Sequence, residues 1–388
     1  MSAPVPFRIA IPEADLADLR ARLAATRWPD EVNDDHWSYG TSLTFLKDLA
    51  AYWRDGFDWR AVEARLNALP QFMIEIDGLP IHFVHAKGRG PAPPLPLVIS
   101  HGWPGSFVEM ERIIPMLTDP AAHGGDPADA FDVVVPSLPG FGFSGRPTAA
   151  GCGPQAIAGM WGKLMAALDY PRFGVQGGDW GSAVSIWLAR TLPERVIGAH
   201  LNFMISSLQA AEDKPLTEAE RAYVASAVRW RDSEGGYYAI QSTKPQTLGY
   251  GLTDSPVALA AWIAEKFRTW SDCNGDVARA IPIDALLANI AVYWFSGNIT
   301  SSLRIYKENK ARPLHFAPGE RVLPPVGFAH FPKEILHPPR SYVERVFDVR
   351  QWTDMPRGGH FAAMEQPDLL AAEIRRFFRP LRTPVTPG

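Results

Sequence analysis

The sequence predicts an α/β protein: a mainly parallel sheet covered by helices, with an inserted helical cap and an N-terminal helical wrap. Three observations carry this. Between residues 71 and 201, short apolar runs stop at loops and give way to helix-like stretches, repeatedly; such strand–loop–helix punctuation builds parallel sheets buried on both faces. From about Asn202 to Asn309 the text turns helical and aromatic. Strand signals then return at Val322 to Phe328 and Val346 to Trp352, ahead of a closing helix from Asp368 to Phe378.

Composition narrows the class. The chain has 388 residues, enough for one large domain with a big insertion or for two domains. It is 46% hydrophobic and 21% charged with a net charge of −4, which suits a globular enzyme and leaves no basic footprint for nucleic acid or an anionic membrane. Thirteen Trp and 36 Pro point to apolar pockets and rigid loops rather than disorder. Cys152 and Cys273 cannot form a disulfide framework, and neither sits in a metal-ligand spacing. Met1 to Pro12 lacks a signal-peptide pattern, and no apolar stretch is long enough to span a bilayer, so a cytoplasmic protein is expected.

The elements follow in order. Ile11-Pro12-Glu13-Ala14-Asp15, then Leu16, Leu19 and Leu23, opens a helix with an apolar face. Aromatics from Trp28 to Trp59 then describe a wrap packed on the main domain, with a separate binding module as the less supported reading. Phe72–Ile76 and Ile81–Ala86 flank Asp77-Gly78, a hairpin signal. Leu95–Ser100 is a buried strand that stops at His101-Gly102-Trp103-Pro104-Gly105, with a helix expected over Ser106–Leu117. Strand Phe131–Pro136, helix Met160–Leu168 and strand Phe173–Gln176 lead to Gly177-Gly178-Asp179-Trp180-Gly181 and helix Ala183–Leu192. This divides the chain into a wrap leading into the first strands (1–90), the first part of the core (91–201), a cap (202–312) and the second part of the core (313–388), with a loose Pro-rich tail after Pro380.

Gly177-Gly178-Asp179-Trp180-Gly181 has the spacing of a nucleophile elbow, the strand–turn–helix device of the α/β-hydrolase fold. Its tip is Asp rather than Ser. A carboxylate is already ionised near neutral pH and needs no base to attack. Attack on an sp³ carbon by Ser would leave an inert ether, whereas attack by Asp leaves an ester that water can cleave. An Asp elbow therefore suits epoxide opening or halide displacement. The bland alternative is an N-cap Asp on the next helix.

The partners weigh against the bland reading. The loop at His101-Gly102-Trp103-Pro104 lies where half of an oxyanion hole belongs, and the backbone amides of Trp103 and Trp180 are the candidate donors. Arg357-Gly358-Gly359-His360-Phe361 follows the last strand, the seat of the base in this fold, so His360 would activate water. Glu334, Asp348 and Asp354 lie between elbow and base; Glu334, in the loop after the penultimate strand, is the expected orienting acid. Ser182 sits inside the helix, which argues against a serine esterase.

Together these residues resemble the microsomal-type epoxide hydrolases, including the juvenile hormone and soluble fungal members, over nearly the whole chain. The likeness covers Thr26-Arg27-Trp28-Pro29, Tyr52-Trp53, Phe57-Asp58-Trp59-Arg60, the His101 loop and the elbow through Ser182. It continues through Gly236-Tyr237, Ile240 to Thr247, Tyr306-Lys307-Glu308-Asn309, Phe331-Pro332-Lys333-Glu334 and Gly358 to Ala363. The resemblance implies two cap tyrosines that bind the epoxide oxygen and protonate the alkoxide. The matching positions are Tyr237 and Tyr306, with Tyr238 the alternative to Tyr237. It also implies an epoxide and water as substrates and no metal or organic cofactor. The membrane-bound members carry an N-terminal anchor, and membrane attachment is not expected to carry over to a chain that starts at the Phe7-Arg8-Ile9 segment. The aromatic N-terminal region could support a homodimer. A haloalkane or haloacid dehalogenase is the nearest alternative enzyme, and a non-catalytic binding protein would be expected to lack a triad member.

Overall fold

A computed structural model describes residues 3–32, 37–204 and 215–382. Among them nine strands form one sheet: β1 (Val5–Pro6), β2 (Gln71–Ile76), β3 (Leu79–Ala86), β4 (Leu95–Ser100), β5 (Phe131–Pro136), β6 (Phe173–Gly177), β7 (Val196–Leu201), β8 (Val322–His330) and β9 (Phe347–Asp354). Their order is β1-β2-β3-β5-β4-β6-β7-β8-β9. The strands from β5 to β9 pair in parallel, and β1, β2 and β3 extend the β5 edge antiparallel. Every residue of β5 and β6 is buried, as the unbroken apolar runs of a doubly covered parallel strand require. The predicted hairpin is present, with Asp77 at φ 54° and Gly78 at φ 77°, the paired positive angles of a tight two-residue turn.

The helices before the second half of the sheet are α1 (Glu13–Ala24), α2 (Leu43–Asp55), α3 (Trp59–Leu66), α4 (Ile113–Thr118), α5 (Pro154–Ala167) and α6 (Asp179–Thr191). Between β7 and β8 come α7 (Glu218–Glu234), α8 (Gly236–Thr243), α9 (Pro245–Asp254), α10 (Pro256–Trp270), α11 (Ile283–Ser296) and α12 (Ile299–Ala311). The chain closes with α13 (Arg340–Val343), α14 (Ala362–Glu365) and α15 (Pro367–Phe378). α5 packs on α6, and α4 on α15, flanking the sheet with paired helices. No helix among the described residues is long and apolar enough to cross a membrane.

The N-terminal helices lie against the inserted ones. Leu16, Leu19 and Leu23 are buried as the pattern of α1 predicts. Arg22 pairs with Asp254, Thr41 donates to the Ala261 carbonyl, Tyr52 donates to Asp284, and Trp59 packs on Phe295.

Some boundaries differ from expectation. The helix expected over Ser106–Leu117 is a 3₁₀ turn, Phe107–Met110, followed by α4. Ser106 caps the turn through Val108, and Pro115 has no N–H to extend a helix backwards, so one continuous helix cannot form. The helix after the elbow starts at Asp179 itself rather than Ala183. Strands β1 and β7 were not foreseen; both are short and gain their pairing only from neighbours distant in sequence. Residues 205–214, inside the expected cap, lie outside the described residues.

Candidate active site

Asp179 sits where β6 turns into α6, with φ +46°. A non-glycine residue at positive φ is strained, and such strain concentrates at functional turns. The flanking glycines make the turn possible. A Cβ on Gly177 would lie 2.2 Å from the Gly181 backbone, and one on Gly181 would lie 1.9 Å from the Ser100 carbonyl oxygen. Strand, turn and helix therefore approach more closely than any side chain allows. Ser182 donates its hydroxyl to the Asp179 carbonyl within α6 and is not presented as a nucleophile.

The carboxylate of Asp179 is held on two sides. Its Oδ1 accepts the Trp103 amide at 2.8 Å, and the Trp180 amide supports it as well. Its Oδ2 lies 3.6 Å from His360 Nε2. Burial raises the Asp179 pKa, and His360 with the two amides draws it back towards the charged form. His360 Nδ1 donates to Glu334 Oε1 over 2.6 Å; a carboxylate only accepts, which fixes the proton on Nδ1. Burial opposes the imidazolium, but Glu334, then Asp179 and Glu109, outweigh it and push His360 up to about 9.

Backbone ties bring Glu334 and His360 together. Lys333 donates to the Gly358 carbonyl and bridges to Gly359, zipping the loop after β8 to the loop after β9. The His360 amide donates to the Trp270 carbonyl at the end of α10. Glu365 accepts from the amides of Asp272 and Phe361, tying the same junction a second time. The other two acids are elsewhere: Asp348 pairs with Arg350, and Asp354 pairs with His330.

Opposite the elbow, Tyr237 opens α8 and Tyr306 lies on α12. The Tyr237 ring stacks on Trp103 at 5.5 Å and 8°, and faces Tyr306 edge-on at 5.8 Å. Tyr306 meets Trp180 edge-on at 4.7 Å. Burial, reinforced by the charge on Asp179, holds both phenols well above their ordinary pKa, so they stay neutral donors. Tyr238 turns towards Asn309 and Arg231, and Asp179 is absent from the charges acting on it. Asp179, both phenols and Tyr238 line a pocket of about 550 Å³, walled by Trp180, Phe203, Trp230 and Leu336 and flanked by α7, α8 and α12. Volumes of this order suit small organic ligands.

The structure adds two groups that the sequence reading missed. Glu109, 9% exposed, points into the same centre from the 3₁₀ turn after the His101 loop. Its one sequence clue is Gly105 four residues earlier, whose missing side chain leaves room for the Glu109 carboxyl. Lys266 is buried beneath the Tyr237 ring, 4.7 Å from its centroid, and is paired with Glu265.

A sheet of this order with an elbow after its interior strand β6 defines an α/β hydrolase, here with aspartate at the elbow tip. Residues 96–234 match the family model described as alpha/beta hydrolase fold, and residues 4–110 match Epoxide hydrolase N terminus. The chain is 39% identical to Epoxide hydrolase 1 of Oryctolagus cuniculus, covering 96% of this chain and 88% of that one. Among solved structures it is similar to an epoxide hydrolase of Aspergillus niger, with TM-score 0.86 and 31% identity over 98% of this chain and 97% of that one. It is equally similar to the juvenile hormone epoxide hydrolase of the silkworm Bombyx mori, with TM-score 0.86 and 30% identity over 98% and 95%. The chain belongs to the epoxide hydrolase family.

Proposed function

We propose that the protein hydrolyses epoxides to vicinal diols through an ester on Asp179. One observation carries the reading: a single carboxylate is cradled by two backbone amides, faced by a Glu334-oriented histidine, and met across an apolar pocket by two neutral phenols. In the first step Asp179 Oδ2 attacks an epoxide carbon while Tyr237 and Tyr306 bind the oxygen. The C–O bond breaks and one phenol delivers its proton to the alkoxide. Esterification removes the negative charge of Asp179, one of the charges that hold the His360 proton. The His360 pKa falls as a result, so the imidazolium releases its proton to solvent and stands neutral, ready to act as the base of the second step. It deprotonates water, which attacks Asp179 Cγ; the amides of Trp103 and Trp180 take the oxyanion on Oδ1, a contact of roughly 3 kcal/mol. Collapse expels the diol oxygen, which takes the proton from His360. The new Asp179 carboxylic acid returns its own proton to the tyrosinate. All of these groups belong to the chain itself.

Halide displacement by the same aspartate is the competing chemistry. The two phenols favour the epoxide, because an alkoxide needs a proton whereas a halide leaves as a stable anion. Styrene oxide and 1-bromobutane separate the two: diol without bromide release is expected, and bromide without diol would overturn the reading. Intact-protein mass spectrometry tests the ester. His360→Gln should gain the mass of one styrene oxide, and Asp179→Ala should gain nothing. Unmodified His360→Gln would argue against the covalent route.

A further inference from the structure

A second, much smaller cavity shares one wall residue with the substrate pocket, Asp179. Its volume is about 20 Å³. A single water needs roughly 10–15 Å³ by the same measure, so the cavity fits one water and no organic substrate. Its polar walls are Asp179, His360, Glu109, Gln176, Asn202, Ser100 and His101. Gln176 is 1% exposed and donates its amide to Asn202, while its own oxygen has no hydrogen-bond partner among the described residues. A one-water space bounded by the base, the nucleophile and further polar groups is suited to the water of the second step.

Glu109 is the one acid of this set that the two-step scheme does not yet use. Its carboxyl occupies the space in which a side chain at Gly105 would begin: a Cβ there would be 1.5 Å from Oε1. Among the described residues it forms no ion pair with lysine or arginine. The titratable groups that face it are His360, Asp179 and Tyr293. Burial pushes its carboxyl up to about 8; His360 and the amides of Gly102 and Ser106 pull down, and Asp179 pushes up. Burial thus favours the uncharged acid, a form that accepts a hydrogen bond without adding a further anion beside Asp179 and Glu334.

We propose that Glu109 positions the hydrolytic water in this cavity, a role that rests on the two-step reading above. The water gives one hydrogen to His360 Nε2 and the other to a Glu109 oxygen, which aims its lone pair at Asp179 Cγ. Bond formation, proton transfer and collapse then proceed as described. Glu109 takes no net proton, so its contribution is confined to ester hydrolysis. The rival role is architectural, a buried acid that only braces the loop through Gly102 and Ser106.

Rapid mixing with styrene oxide, acid quenching and intact-mass measurement follow the adduct as it forms and disappears. His360→Gln tests the two-step reading alone, because an adduct must accumulate in it whatever Glu109 does. In Glu109→Ala the adduct should form at the wild-type rate and decay about 10–100-fold more slowly. kcat and KM should then fall together while kcat/KM holds. Glu109→Gln, which keeps an accepting oxygen, should stay within about threefold of wild type. Gly105→Ala keeps the acid but forces its carboxyl aside, and should reproduce the slow decay; it also stands in should Glu109→Ala fail to fold. Wild-type decay in both Glu109→Ala and Gly105→Ala, with an adduct present in His360→Gln, overturns the water-positioning role alone. Slowed adduct formation that Gln does not rescue overturns it too and makes Glu109 a brace. No adduct in His360→Gln overturns the underlying reading, and this proposal with it.

Discussion

The two spaces that meet at Asp179 are built from different material. The pocket of about 550 Å³ is walled mainly by aromatic and aliphatic side chains on helices between β7 and β8, with phenols facing Asp179 and Arg231, Asn309 and Lys310 also in its lining. The cavity of about 20 Å³ is walled by loops at the ends of β4, β6, β7 and β9, and carries two acids, two histidines, two amides and a serine. A large apolar room can accept many shapes, and in the proposed reaction its phenols serve an oxygen that becomes charged only transiently. A small polar room accepts one molecule in one orientation. In the proposed reaction the contrast assigns substrate choice to the helices and hydrolysis to the sheet, with one carboxylate serving both.

Substitutions can break that division, and the largest expected effect is on the pocket side. Replacing both Tyr237 and Tyr306 with Phe removes the acid from the first step. We expect kcat/KM for styrene oxide to fall by about 10³–10⁴ with no adduct visible at steady state. An adduct that still built up would mean that the phenols act on the hydrolysis side. On the cavity side, Glu334→Gln keeps a hydrogen-bond acceptor for His360 but removes its charge. Adduct should then accumulate while its decay slows about 10²-fold, with kcat/KM close to wild type. A loss in kcat/KM as large as the loss in kcat would show that the two rooms are not separable.

The smallest effect is on stability. His360 has its folded pKa raised from 6.5 to about 9. A raised base stabilises the fold fully below its unfolded pKa, near 6.5, and loses that contribution as pH climbs through 9. The full shift corresponds to roughly 3 kcal/mol. Thermal melts at pH 6 and 9.5 should therefore show a larger drop for wild type than for His360→Gln. Equal drops would mean that the Glu334–His360–Asp179 charges do not bind the proton as the geometry implies.

How far the sequence could be read follows from how local each signal is. Asp179 was legible because strand, Gly-x-Asp-x-Gly and helix lie within a dozen residues, and the glycines have no other easy purpose. The loop positions of Glu334 and His360 could be placed by chain order, since each follows a strand. Placing Tyr237 and Tyr238 was beyond periodicity: neighbours on a helix point about 100° apart, and which ring stacks on Trp103 depends on how α8 docks. Glu109 was hidden for a related reason. In Ser106-Phe107-Val108-Glu109-Met110 it reads as an ordinary exposed position on a helix, and its burial depends on a loop fold that Pro115 and Gly105 create together. The short strand β7 was missed because Val196–Leu201 is held by β6 and β8, more than a hundred residues apart from one another in the chain.

The junction at the end of α10 has a consequence for traffic. The His360 amide hangs from the Trp270 carbonyl, and Glu365 clasps Asp272 and Phe361 together. A hinged lid would have to tear these bonds and drag the imidazole away from Glu334 each time it opened. The helical roof is instead bolted down at the very loop it would need to clear. The end of α10 and the loop that carries the base are thus one mechanical piece, and any movement of this end would shift the imidazole against Glu334.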